Sequence, residues 1–317
     1  MTDRVEYHPR LVEDAVWCAI RGRPEVVSFH REREPVYRIE DPDKRDQAFQ
    51  RLHVSWFRRL ALDTPVRRAA REYSEVLAAI GRCLIAPALQ ETTQAAELYV
   101  PRAGERSVVI TIRPEVLVTP DRALEYLRRE LLHISDMLDP RFRYEPRLPA
   151  QSAGPAHDRL LQDRYRLLWD CSIDARLVTR GALDAAAKDR RRREFIRAFV
   201  CLGARAEEDF ARLFDGPRPS HPALAAMAAD PEAFFGLRQA GGSPRSRCPL
   251  CGFPTHDFEP RPEQLPAEAA AAIRSHFPKW SVDRGICRQC ADLYRARDLS
   301  DAAAEALPGI DRGAQKL

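Results

Sequence analysis

Two residue spacings in this chain could do chemistry. Near the middle, Arg129-Glu130-Leu131-Leu132-His133 sets a carboxylate and an imidazole three residues apart. On a helix, positions 129 and 133 share a face one turn apart, with Glu130 beside them. A His-Glu-x-x-His helix uses that geometry to grip one zinc ion with two imidazoles while the Glu takes a proton from the metal-bound water. Here the first position is Arg129. Its guanidinium stays protonated and has no lone pair to give a metal.

The second spacing lies towards the C-terminus, where Cys248-Pro-Leu-Cys251 and Cys287-Arg-Gln-Cys290 are separated by 35 residues. Each Cys-x-x-Cys turn points two thiolates at one ion, and two turns complete a tetrahedral site. With all four positions supplied by protein no water can be activated, so the expected zinc is structural and supplies folding energy to a module too small to bury much core. The gap exceeds the ~15–20 residues of the simplest pattern; an inserted helix, Pro266 to His276, accounts for the excess. His256 and His276 could replace a missing thiolate, but none is missing. Two separate redox pairs are the competing reading, and the thioredoxin-like strand–helix–strand setting they would need is absent.

The elements that must position these groups follow from periodicity. Leu11, Val12, Ala15, Val16 and Ile20 mark an amphipathic helix in an N-terminal arm, with short strands expected near Val26–Phe29 and Val36–Ile39. Asp43 to Leu62 reads as a helix whose apolar stripe carries His53, expected to be a core histidine with a hydrogen-bond partner. Thr64-Pro65 starts another helix, closed by Gly81. Arg82–Ala86, Glu97–Val100 and Ser107–Ile112 are short, β-branched strands. Thr119-Pro120-Asp121 then supplies a cap, a tolerated proline and an acid at the positive end of the dipole for the motif helix, which stops at Asp139-Pro140. A long helix follows from about Asp158 to Thr179, ended by Gly181. It presents Asp163, Asp170 and Asp174 along one face, within the register of a third metal ligand.

Strand VVITI, then TPDRALEYL, then RRELLHISDMLDP with an acidic helix after it, resembles the zincin metallopeptidases in their minimal, gluzincin or SprT-like form. The resemblance covers roughly residues 41–215 and implies an α+β fold with the motif helix behind a small sheet. It would carry the third ligand to Asp170 or Asp174. A zincin-like domain followed by a four-cysteine zinc ribbon is also similar in layout to the SprT or Spartan-like proteases, which act on DNA-associated proteins. The expected organisation is an arm (1–40), a zincin-like domain (41–215), a linker (216–247, ending in Gly241-Gly242-Ser243-Pro244) and the ribbon (248–317).

Three readings of the central motif stay open. In one, hydrolysis is lost and Arg129 replaces the metal's charge by pairing with Asp170 or Asp174. In the second, His133 with Asp136, Asp170 or Asp174 holds a second divalent metal and Glu130 remains the general base; such oxygen-rich ligation favours ions harder than zinc. In the third, Arg129, Glu130 and His133 are only a polar network between helices. A di-iron carboxylate bundle needs the Glu-x-x-His motif twice, and the chain has it once at Glu130 and His133.

Composition narrows the class. The 317 residues are 44% hydrophobic and 31% charged, as in globular chains. No stretch approaches the ~18 apolar residues of a membrane span, and the start has no apolar signal core, so the expected location is the cytoplasm. A net charge of +4 does not by itself point to nucleic acid. Only Lys44, Lys188, Lys279 and Lys316 among the 51 basic residues are lysine, the usage of a GC-rich, bacterial-type coding sequence. The run Lys188–Glu194 reads as a solvated helix face more readily than as a phosphate track. Arg245, Arg247, Arg284 and Arg288 flank the ribbon, whose expected partner is a protein or a nucleic acid, and Phe253, Phe258, Phe277 and Trp280 are its candidate small core. Cys18, Cys83, Cys171 and Cys201 read as small buried hydrophobes.

Overall fold

The structure, a computed structural model, describes residues 4–101, 104–148, 155–236, 248–252, 255 and 257–305. The chain forms two compact units, one from residues 1–144, 170–190 and 217–221 and the other from 145–169, 191–216 and 222–317. Each is assembled from separated segments, which contiguous borders drawn along a sequence do not describe.

The first unit opens with β1 (Val5–Tyr7) and the helices α1 (Pro9–Ile20), α2 (Glu25–Arg33), α3 (Pro42–Arg59), α4 (Thr64–Glu72) and α5 (Ser74–Ala78). Proline stands in the first turn of α1, α3 and α4, where its missing N–H costs nothing. Asp41 caps α3 by accepting from the Asp43 and Lys44 amides. Strands β2 (Arg82–Pro87), β3 (Ala95–Tyr99) and β4 (Ser107–Ile112) follow, and then α6 (Pro114–Leu117) and α7 (Pro120–Leu138).

The four strands form one mixed sheet in the order β1-β2-β4-β3, parallel except for β3, which runs antiparallel to β4 at the edge. Along β4, Val108, Ile110 and Ile112 are buried and the residues between them are not, the two-residue period of a strand with one face in the core. Burying each such side chain contributes roughly 1.5–3 kcal/mol. Ala123, Leu124, Leu127, Leu131 and Ile134 of α7 join the same core. The Tyr126 hydroxyl donates to the Thr111 carbonyl at 2.6 Å and ties α7 to β4.

Helix α8 (Pro155–Thr179) contributes residues 155–169 to the second unit and 170–179 to the first, and α9 (Ala186–Ala198) likewise divides, at residue 190. The rest of the second unit contains α10 (Ala206–Phe214), α11 (His221–Ala229, which begins in the first unit), α12 (Pro231–Phe234), α13 (Ala267–His276) and α14 (Arg288–Glu305). Phe195, Phe199 and Phe210 pack ring against ring in its helical part. No helix among the described residues is long and apolar enough to cross a membrane.

Several expectations need correction. The segments expected as strands at 26–29 and 36–39 are α2 and a 3-10 turn over Glu34–Arg38. Each apolar run is too short to define a period, and Phe29 gains more by packing its ring on Trp56, 5.5 Å away, from a helix. The helix expected to run from Thr64 to Gly81 is interrupted at Tyr73, whose φ of −116° and ψ of 38° separate α4 from α5. Thr119 stands at the start of α7 without a side-chain cap bond. Residues 221–234, expected as linker, form α11 and α12, with Leu224 and Ala228 fully buried; an alanine-rich stretch is as good a helix as it is a spacer. Gly241–Pro244, Arg245, Arg247, Phe253 and His256 lie outside the described residues. Cys83 and Cys171 are buried, whereas Cys18 is half-buried and Cys201 exposed.

Candidate functional site

The four paired cysteines come together at the start of the C-terminal module. All are buried, and their sulfurs lie within 4.8 Å of one another. Cys251 Sγ and Cys287 Sγ are 3.8 Å apart, far beyond a bond of about 2.05 Å and close to the edge of a tetrahedron with Zn–S distances of about 2.3 Å, roughly 3.8 Å. The local backbone is arranged for metal-bound thiolates. The Cys287 amide donates to Cys248 Sγ and the Cys290 amide to Cys287 Sγ, both at 3.4 Å. The first knuckle closes with the Gly252 amide on the Cys248 carbonyl at 2.7 Å, and Gly252 takes a positive φ of 71° suited to glycine.

Charge within the cluster also calls for a cation. Hydrogen bonding from Cys251 holds the Cys248 thiol far below the ordinary thiol range, and bonding to Cys248 pushes Cys290 far above it. Four sulfurs this close cannot all ionise by themselves; a divalent ion of soft preference lets them. The donor set therefore fits zinc, with no open position for water.

The surrounding module explains the long gap. An antiparallel bridge joins Phe258 to Cys287, flanked by the Glu259 amide on the Ile286 carbonyl and the Arg288 amide on the Asp257 carbonyl. Helix α13 fills the insertion, and Trp280, Leu250, Ile273 and Ile286 pack around the cysteines, with Phe277 partly buried beside them. Gly285, at φ 69°, lets the Phe258 ring approach to 3.2 Å of where a Cβ would stand. His276 Nδ1 pairs with the Tyr294 hydroxyl at 2.9 Å, and this histidine is not among the ligands that cluster with the four cysteines.

The central motif is built differently. Helices α7 and α8 bring Arg129, His133 and Asp136 opposite Asp170 and Asp174, and these side chains pair off. Arg129 Nε donates to Asp174 Oδ1 at 2.6 Å, with the Asp174 side chain only 2% exposed. His133 Nε2 meets Asp170 Oδ1 at 3.1 Å. Asp136, 1% exposed, receives both Arg176 Nη atoms at 2.8 and 2.6 Å. Asp163 is exposed and takes no part in this group. Among the described residues the four cysteines are the group of three or more potential metal ligands drawn together; His133, Asp170 and Asp174 do not form another.

Glu130 lies close to the backbone of Ala96 in the edge strand β3. Burial lifts its carboxyl above the usual range and the Asp170 charge adds to that, against the opposing pull of His133, the Ala96 amide and Arg129. This is the environment that favours a protonated acid over a carboxylate.

Sequence reasoning missed Arg176 and Arg218. The latter lies 3.4 Å from Asp136 and 2.8 Å from Asp139. Nothing in their local spacing marks either one. Nor did it find Arg128, which bridges by a two-pronged pair to Glu72 of α4 at 2.7 and 2.8 Å. Comparison with family models, curated proteins and solved structures finds no match to this chain.

Proposed function

We propose that this protein is a zinc-stabilised binding protein in which a zincin-like domain has given up hydrolysis. The single observation that carries this reading is the Arg129–Asp174 ion pair: a permanent cation stands at the first-ligand position and engages one of the two carboxylates that could supply a third ligand. A metal entering there would meet a guanidinium repelling it and a carboxylate already neutralised. The Asp136–Arg176 pair withdraws Asp136 in the same way, and Asp170 is engaged by His133. The alternative role of Glu130 as general base loses support, because its carboxyl is biased toward the protonated form and has no second imidazole beside it.

In this reading the four-cysteine module is a structural zinc ribbon and supplies the contact to a macromolecule, a protein in the first instance. Of its basic side chains, Arg288 faces Asp257 and Arg295 pairs with Glu259, which leaves less charge for a phosphate backbone. A nucleic-acid contact predicts affinity that falls steeply with salt; affinity unchanged between low and moderate salt favours the protein.

Metal counting on the purified chain tests the central claim. One zinc per chain is expected, removed by Cys248→Ser and indifferent to His133→Ala. A second equivalent that disappears with His133→Ala, accompanied by peptidase activity lost in Glu130→Gln, would overturn it in favour of a metallohydrolase with His133, Asp170 and Asp174 as ligands.

A further inference from the structure

The four-cysteine centre raises a question of charge balance. Four thiolates and one zinc ion leave two negative charges in excess, and here they are buried. Burying net charge is costly unless an opposite charge lies close by.

A cavity of about 380 Å³ opens beside the centre. Cys251 and Cys287 line it, and so does Arg164 of α8, from a segment about 90 residues earlier in the chain. The Arg164 guanidinium stacks over the Phe199 ring at 5.4 Å. Leu160, one turn earlier on α8, packs against the cysteine cluster itself. The helix face that carries Arg164 is therefore the face that meets the metal module. Asp230, Glu232 and Asp257 also border the cavity, and the sulfurs of Cys201 and Cys251 support the charge of Arg164 against its burial.

The geometry points to Arg164 as the charge partner of the four-thiolate centre, a buried guanidinium fixed over Phe199 that offsets part of its excess negative charge and anchors α8 to the metal module. This rests on the zinc reading above. Arginine suits the task because it stays protonated when desolvated and stacks on an aromatic face, whereas the ammonium of lysine is more strongly hydrated. Two consequences follow for the metal. Removing the cation weakens zinc binding, as loss of a group supporting the ligands typically does by about 10–100-fold. It also leaves more electron density on the sulfurs and makes the bound thiolates better nucleophiles.

The test uses the zinc-loaded full chain with Arg164→Met, Arg164→Gln and Arg164→Lys. Zinc affinity is read by competition with a chromogenic chelator, and thiolate reactivity by the rate at which N-ethylmaleimide releases the metal. Met and Gln are expected to weaken zinc binding about tenfold or more and to speed maleimide-driven release, with Lys recovering a large part of both. Gln keeps polar contacts without charge, so the Lys-to-Gln comparison decides the matter even if Met does not fold. Zinc held equally well by Gln and by the wild type, or Lys no better than Gln, overturns the proposal. A wild-type chain without zinc removes the metal reading and this inference with it; a zinc-bound wild type indifferent to all three changes removes this inference alone.

Discussion

The Arg129–His133 helix and the four-cysteine module both gather potential metal ligands, and they resolve the charge in opposite ways. In the cysteine module four acidic groups of one kind converge within 4.8 Å, and all four can ionise together only with an added dication. Around α7 the acids meet basic side chains supplied by the fold itself. Asp174 has Arg129, Asp136 has Arg176 and Arg218, and Asp170 faces His133. The lesson is that ligand types in the right place do not make a metal site; an unmet negative charge does.

Four changes break or sharpen that contrast. The largest effect belongs to Cys248→Ser. Structural zinc contributes apparent free energies of roughly 10–16 kcal/mol to small domains, so this variant is expected to lose its zinc and the cooperative melting of the C-terminal module, followed by elemental analysis and circular dichroism. A module that stays folded without metal would dissolve the contrast from one side.

Next comes Arg129→Met. It leaves the Asp174 carboxylate buried without its closest cation, and the expected loss is about 3 kcal/mol in urea unfolding, the lower end for breaking a buried pair because Arg129 is itself 21% exposed. The double variant Arg129→Met/Asp174→Leu should be more stable than the single one. A double variant that is no better would mean that the pair is not what neutralises this site.

Glu130→Gln tests the third point through pH. The folded state raises the Glu130 carboxyl above its unfolded value, chiefly by burial. Between the two values the folded chain holds the extra proton, so ionisation costs stability as pH rises through that window and the cost persists above it. Gln removes the cost. The variant is therefore expected to gain stability over the wild type at pH 7 and to lose that advantage below about pH 4. A gain that is independent of pH would exclude titration of Glu130 as its source.

The smallest effect is expected from His133→Ala, which deletes one partly buried polar contact to Asp170. A loss of about 1 kcal/mol is in keeping with a single hydrogen bond, and zinc content should not change. Any drop in bound metal would restore His133 as a ligand.

Much of this molecule was legible in the sequence because it is fixed over short distances. Strands β2, β3 and β4, the motif helix from Pro120 to Leu138, the helix inserted between the two knuckles and the convergence of Cys248, Cys251, Cys287 and Cys290 each follow from a local period or turn. Where local signals were thin the sequence misled: two β-branched residues in each of 26–29 and 36–39 suggested strands, and a proline- and alanine-rich stretch concealed α11 and α12.

Spacing alone established that Arg129 and His133 share a helix face and that two knuckles are available to one ion, because helical period and knuckle turn are properties of a few consecutive residues. Only the tertiary structure decided that Arg129 takes Asp174 and leaves Asp170 to His133, that Asp136 is claimed by an arginine 40 residues away, and that Arg164 lines one cavity with Cys251 and Cys287. Ion pairing depends on which charges meet when distant segments pack, and with 51 basic and 47 acidic side chains the sequence allows far more pairings than the fold can make.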